Sequence, residues 1–216
     1  MPDRLNRLEN PTVRKLLEAA EQVFAENGFA GARIDDIAAR AGMAKSHVYY
    51  HFDSKQQIFD DLISLRIGEI LEQKTALMEG LTQLDRPAIA TLAGRALREL
   101  LVPRAAFIRI VLLESVGTGD SDLGAEPLLL RVLRPLLEDT VSRYEALGYD
   151  IDRDVFISDV FHFGLLPIVM HIALGERWAA ASGIEPSKAD ELFVSRLVDL
   201  QVWNIEHLRQ ARRDDV

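Results

Sequence analysis

An all-α chain in two parts is what the sequence predicts: a small N-terminal three-helix domain holding a helix-turn-helix, then a larger C-terminal helical domain. Three observations predict it. Apolar residues recur at helical spacing along the chain, and alternating β-patterns are absent. The stretch Ile34 to Lys55, IDDIAARAGMAKSHVYYHFDSK, holds two short helical patterns around a tight turn at Gly42. Charge is also partitioned. Residues 1–55 carry eight Lys/Arg and eight Asp/Glu, so the remaining residues carry the whole net charge of −9. The boundaries that follow are 1–9 as a flexible arm, 10–55 as the helix-turn-helix domain and 56–216 as the C-terminal helical domain.

Composition excludes several classes. With 48% hydrophobic and 27% charged residues the 216-residue chain fits a soluble globular protein. The absence of cysteine removes disulfides, zinc fingers and thiol catalysis, and suits a reducing cytosol. The polar start, MPDRLNRLEN, shows no signal-peptide pattern, so a cytoplasmic location is expected.

In chain order, Arg4 and Arg7 lie in the arm, which reads as frayed. Asn10-Pro11 supplies a cap and a first-turn proline for a helix. Val13, Leu16, Leu17, Ala20, Val23 and Phe24 form its apolar face, and Asn27-Gly28 ends it. A second helix runs from about Arg33 to Ala41, with Asp35 and Asp36 at the positive end of its dipole. Ala38 is small where two helices must approach, and Gly42 supplies the turn. Met43 and Val48 are the expected apolar plugs. The third helix, about Lys45 to Phe52, carries too little apolar content to be core. Ser54-Lys55-Gln56-Gln57 is a capping box opening a helix of roughly 25 residues, about 38 Å long.

Further helices are predicted from Asp85-Arg86-Pro87 to about Val102, from Pro103 onward, and from Pro127 to Gly148, where Pro135 should kink or restart the chain. Gly117 to Gly124 reads as a loop. Asp152 to Ala181 and Pro186 to Arg212 are the last two helices. Val160 to Gly175 has no charge if its histidines are neutral, and sixteen residues are short for a membrane span of about 20. The reading is a helix buried on every side, with a partner subunit as one way to bury it. With the broad apolar face of Leu192, Phe193, Leu197, Leu200, Trp203 and Leu208, the helices 152–181 and 186–212 could pair across a two-fold axis as a four-helix bundle.

The segment from Thr12 to about Asp61 resembles the DNA-binding domain of TetR-family transcriptional regulators. The resemblance rests on AAEQVFAENGF (Ala19 to Phe29), IDDIAARAGMAKSHVYYHF (Ile34 to Phe52) and SKQQIF (Ser54 to Phe59), in that order and spacing. It implies a homodimer with two N-terminal heads on double-stranded operator DNA. It also implies a C-terminal ligand-binding and dimerisation domain whose small-molecule effector releases a repressor from a palindromic operator. Three positions depart from the common pattern: Ala44 where Ser or Thr starts the third helix, Ser46 where Gly follows the Lys, and Arg33 at the start of the second helix. They bear on which operator is read.

The chemistry of the third helix fits a major-groove reader, whose first residues reach base edges. Ala44 suits a thymine methyl. Ser46 and His47 suit base edges, and Lys45 a guanine or a phosphate. Tyr49, Tyr50, His51 and Lys55 suit phosphates, as does Arg33. Tyr49 is equally suited to packing on the first helix, and His51 to bracing the following turn. On this reading Lys55→Ala weakens binding to all sequences alike.

In the C-terminal part the candidate ligand contacts are Met78, Phe107, Tyr144, Phe161, His162, Met170, His171 and Trp178. They are polar or aromatic groups among apolar helices, and each also suits core or interface. His162 and His171 are nine residues apart, on opposite faces of a regular helix. No metal site and no cofactor are expected, and an apolar or aromatic effector is the default. An enzyme is not expected, since no nucleophile–base pair, phosphate-cradling loop or metal motif is found. The alternative is a ligand-independent dimeric DNA-binding or architectural protein.

Overall fold

The computed structural model describes residues 7–79, 88, 92, 96–116, 127–146, 148 and 152–214. Among them there is no strand. The helices are α1 (Pro11–Gly31), α2 (Ile34–Ala41), α3 (Lys45–His51), α4 (Lys55–Met78), α5 (Ala105–Val116), α6 (Leu128–Ala146), α7 (Arg153–Ser182) and α8 (Pro186–Asp214). A π-turn at Ala96–Leu101 and a 3-10 turn at Val102–Arg104 lead into α5. The helix predicted from Asp85 and the loop Gly117 to Gly124 lie outside the described residues, except for the end of that helix. The side chains of Trp203 and Leu208 lie outside them too.

The chain forms two compact units. One holds 1–70 and 106–133, the other 71–105 and 134–216, so α4 begins in the first and ends in the second. In the first unit Val13, Leu16, Leu17, Ala20, Val23 and Phe24 of α1 are buried, as the periodicity predicts. Ile37, Ala38, Val48, Phe52, Ile58, Phe59, Leu62 and Ile63 complete that core. Phe24, Phe29 and Phe59 meet as three rings with centroids 5.0 to 5.9 Å apart, in contact geometries that favour aromatic pairs. Phe107, Ile110 and Val111 of α5 are buried as well.

Local chemistry sets the helix ends. Asn10 accepts from the amides of Thr12 and Val13, which satisfies two of the orphan donors of α1. Gly28 breaks the helical path near the end of α1 with φ 68°, where an L-residue is strained. Gly42 closes α2 in the left-handed conformation, and Met43 donates to the Ala38 carbonyl across it at 2.9 Å. At α4 the Ser54 hydroxyl accepts from the Gln57 amide at 3.1 Å. The Gln57 side chain reaches back one residue further than a capping box requires, accepting from Asp53 N–H.

Two expectations are corrected. Pro135 does not restart α6, which runs on from Leu128 to Ala146. Residues 160–175 are not buried on every side: only 6% of the most apolar window of α7 is buried. That window has a mean hydropathy of 1.7, and α7 is long and apolar enough by composition to cross a membrane. The helix passes through a π-turn at Val160–Leu165, which contains Gly164 and is followed by Pro167.

The second unit holds an ion network. Lys74 reaches the Asp139 carboxylate at 2.8 Å and the Leu136 carbonyl at 2.9 Å, and also donates to the Thr140 hydroxyl. Burial is the largest influence on Lys74 and lowers its pKa. Burial pushes Asp139 up, but hydrogen bonds from Arg143 and Lys74 outweigh it and hold the carboxyl below its ordinary value.

Candidate nucleic-acid interface

Helix α3 is short and two-sided. Val48 is fully buried, and Phe52, just past the carboxy end, is 1% exposed. The opposite side carries Lys45, Ser46, His47, Tyr49 and Tyr50, all exposed. Tyr50 stands 82% exposed. Tyr49 is half exposed, so it is not core, and the Lys45 ammonium lies 6.0 Å from its ring centroid. Ala44 precedes α3 in extended conformation with no side-chain cap, and Arg33 does the same before α2. Both are exposed.

The geometry separates the candidates into three kinds. Ala44, Ser46, His47 and Tyr50 lie on the open side of α3 or at its start. Lys45 is exposed but pairs with Asp35 of α2 at 2.8 Å, and that hydrogen bond raises its pKa. Lys55 is turned inward. Its ammonium donates to the carbonyls of Phe29, Ala32 and Ala30 at 2.7, 3.0 and 3.3 Å, and it lies 4.6 Å from the Phe29 ring centroid. Three carbonyls and a ring occupy the charge assigned to a phosphate, so Lys55 braces the end of α1. His51 is half-buried, with its ring edge-on to Tyr50 at 4.9 Å.

Two participants escape sequence reasoning. Sequence spacing gives Asp35 only a place at the helix dipole, and its pairing with Lys45 crosses the turn. Arg7, which the sequence places in a frayed arm, is engaged. It donates to the His51 carbonyl at 3.0 Å and pairs with Asp61, which is 1% exposed. No local pattern links residues 44 and 54 positions apart.

The predicted ligand contacts do not converge. Phe107 is 2% exposed core of the first unit. Tyr144 packs edge-on against the buried Phe156 at 5.3 Å. His171 stacks on Phe193 at 4.0 Å and meets Asp190 at 2.9 Å. His162 is exposed and contacts the Ser158 carbonyl at 2.9 Å, Phe161 lies edge-on to it at 5.0 Å, and Met78 is half-buried. Met170 and Trp178 are exposed. A cleft of about 240 Å³ lies elsewhere in the second unit, lined by Gln73, Ala76, Leu77, Glu99 and Leu100. Gln73 also accepts from Arg104 at 3.1 Å. None of the eight candidates lines it. Among the described residues no group of three or more His, Cys, Asp or Glu could hold a metal ion.

A short helix buried on one side and polar on the other, set after a glycine turn, is the local geometry of a helix-turn-helix. Comparison with known proteins narrows this. Residues 16–62 match the profile of the bacterial regulatory proteins of the tetR family. The chain resembles that family over this stretch. Over 49 residues it is 39% identical to the biofilm operon icaADBC negative transcriptional regulator IcaR of Staphylococcus aureus, covering 23% of this chain and 26% of that protein. Over 65 residues it is 31% identical to the fatty acid metabolism regulator protein of Bacillus subtilis, covering 30% and 34%. The match thus spans about a quarter to a third of these curated relatives.

Solved structures extend the likeness of fold over most of the chain. The transcriptional regulator FadR from Bacillus subtilis, solved in complex with stearoyl-CoA, superposes with a TM-score of 0.62 at 17% identity, covering 86% of this chain and 97% of that one. The fatty acid degradation regulator FadR from Bacillus halodurans gives 0.62 at 17%, covering 88% and 96%.

Proposed function

We propose that the protein is a ligand-responsive DNA-binding transcriptional regulator, a dimeric repressor released from a palindromic operator by a small apolar or aromatic molecule. The observation that carries this reading is α3 itself: Val48 and Phe52 anchor one side while Lys45, Ser46, His47 and Tyr50 stand exposed on the other. Residues 10–55 are the DNA-binding domain of this proposal and 56–216 the ligand-binding and dimerisation domain. The dimer uses α7 and α8, and the protein works in the cytoplasm on double-stranded DNA. A long-chain acyl thioester is the effector class to try first, because a regulator sharing this fold was solved with stearoyl-CoA.

The test is a mobility-shift assay on DNA flanking the protein's own gene, followed by addition of stearoyl-CoA. The expected result is a salt-sensitive complex with a palindromic footprint that the acyl thioester dissolves. Absence of any complex at low salt overturns the reading. The second reading is a ligand-independent dimeric DNA-binding or architectural protein. A complex indifferent to every apolar ligand tried supports that alternative.

A further inference from the structure

Arg7 joins three parts of the first unit. One guanidinium nitrogen donates to the carbonyl of His51, the last residue of α3, at 3.0 Å. Another pairs with Asp61 on α4, whose side chain is 1% exposed. The guanidinium carbon stands 5.5 Å from the ring centroid of Phe52, itself a core residue. The backbone around it is fixed as well: Leu8 is 7% exposed, and Asn10 N–H donates to the Arg7 carbonyl at 3.1 Å.

The physics of a short helix explains what this does. The last four carbonyls of a helix have no partner within it, and α3 has seven residues in all. A helix of two turns takes its stability from tertiary contacts. A cation at its carboxy end is favourable to the dipole, and a guanidinium can serve a carbonyl and a carboxylate together because its donors form a rigid fork. A carboxylate as buried as Asp61 needs a cation in turn. Val48 and Phe52 hold α3 against the core by apolar contacts, which are non-directional. The bond to the His51 carbonyl is directional.

We propose that Arg7 is a positioning residue for DNA reading: it ties the carboxy end of α3 to α4 and so fixes the angle at which His47 and Tyr50 are presented. The proposal rests on the reading of α3 as the DNA-contacting helix. It gives Arg7 a task other than neutralising phosphate, the usual task for an arginine near the start of a DNA-binding chain.

The full-length protein with Arg7→Ala and Arg7→Lys supplies the test, at a temperature well below both melting points. Lysine keeps the charge for Asp61 but replaces the rigid planar fork with a point charge on a flexible stem, which fixes no angle. Amide hydrogen exchange on the DNA-free protein is the first arm. Both variants are expected to raise exchange at residues 46–52 about tenfold while the centre of α1 is unchanged, with Arg7→Lys losing less melting temperature. The second arm compares operator with random DNA. Both variants are expected to lose about tenfold in operator preference, with random-sequence affinity and salt slope as in wild type. Exchange rising equally through α1 to α4 overturns the proposal in favour of a plain stability role. A flattened salt slope overturns it in favour of a phosphate contact, and unchanged exchange at 46–52 overturns it outright. The exchange arm needs no DNA, so failure of the wild type to bind an operator counts against the DNA-binding reading alone.

Discussion

Lys45 and Lys55 bear the same charge and flank the same helix, yet their surroundings give them different tasks. Lys55 spends its ammonium on three carbonyls at the end of α1. Lys55→Ala is therefore expected to cost about 2 kcal/mol of folding stability, by the usual value of hydrogen bonds to a charged group, and to leave the salt slope of DNA binding intact. Thermal denaturation beside a salt titration checks both halves; a flatter slope with unchanged melting restores the phosphate role. Lys45 is held by Asp35 in open solvent, where such pairs are weak. Asp35→Asn is expected to tighten binding to all sequences and steepen the salt slope by up to about one unit, read by a mobility shift at several salt concentrations. His47 stands exposed on the reading side, so His47→Ala is expected to change which base is preferred without altering the melting temperature. At this scale the sequence identified residues by type and place along α3. It could not tell which cations are already engaged, because those partners come from α1, α2 and the arm.

At the scale of elements, ends were legible and internal partners were not. Asn10, Gly42 and Ser54 act through residues two to four positions away, so their effects can be read from a short window. Asn10→Ala is expected to cost about 1 kcal/mol, seen as a lower denaturation midpoint with an unchanged slope. Gly28 was legible as a helix end. That a Cβ there would stand 3.2 Å from a carboxylate oxygen of Glu114, which also accepts from the Phe29 amide at 2.8 Å, was not. The same distance limit hid the pairing of Lys74 with Asp139. That pairing makes a prediction about acid. Asp139 has a folded pKa below the ordinary 3.8, so the folded state binds its proton less readily than the unfolded one. Its contribution is complete above that value and is lost as pH falls through the folded pKa. Asp139→Asn should be less stable at neutral pH and show a shallower loss of stability below about pH 4, measured by urea denaturation across pH.

For the whole molecule, the sequence located an uncharged stretch at 160–175 and predicted full burial, which one chain does not provide. Phe163, Leu166, Met170, Leu174 and Trp178 of α7 are exposed, and so is Leu192 of α8. Periodicity reports that a side chain is apolar, not which molecule will cover it. A second copy of the chain is the cover in the proposed dimer. Leu174→Asp is then expected to yield monomers at micromolar concentration by sedimentation velocity, with the helical content kept. A dimer that survives the substitution locates the interface elsewhere.

The π-turn at Val160–Leu165 has a consequence for how α7 tolerates change in length. A π-turn houses more residues per turn than its α-helical neighbours, so it amounts to a stored insertion. Deleting one residue within 160–165 would let the helix regularise. The segments before and after it would then keep their present phase, because the residue removed is the one the wide turn absorbs. Winding all the present residues into a strict α-helix would instead turn the two segments by about 100°, the angle one residue occupies, and Phe156, buried before the turn, and Ala179, buried after it, could no longer both face inward. The extra residue is thus a phase adjuster between two apolar stripes that a strict 3.6-residue repeat would leave out of step.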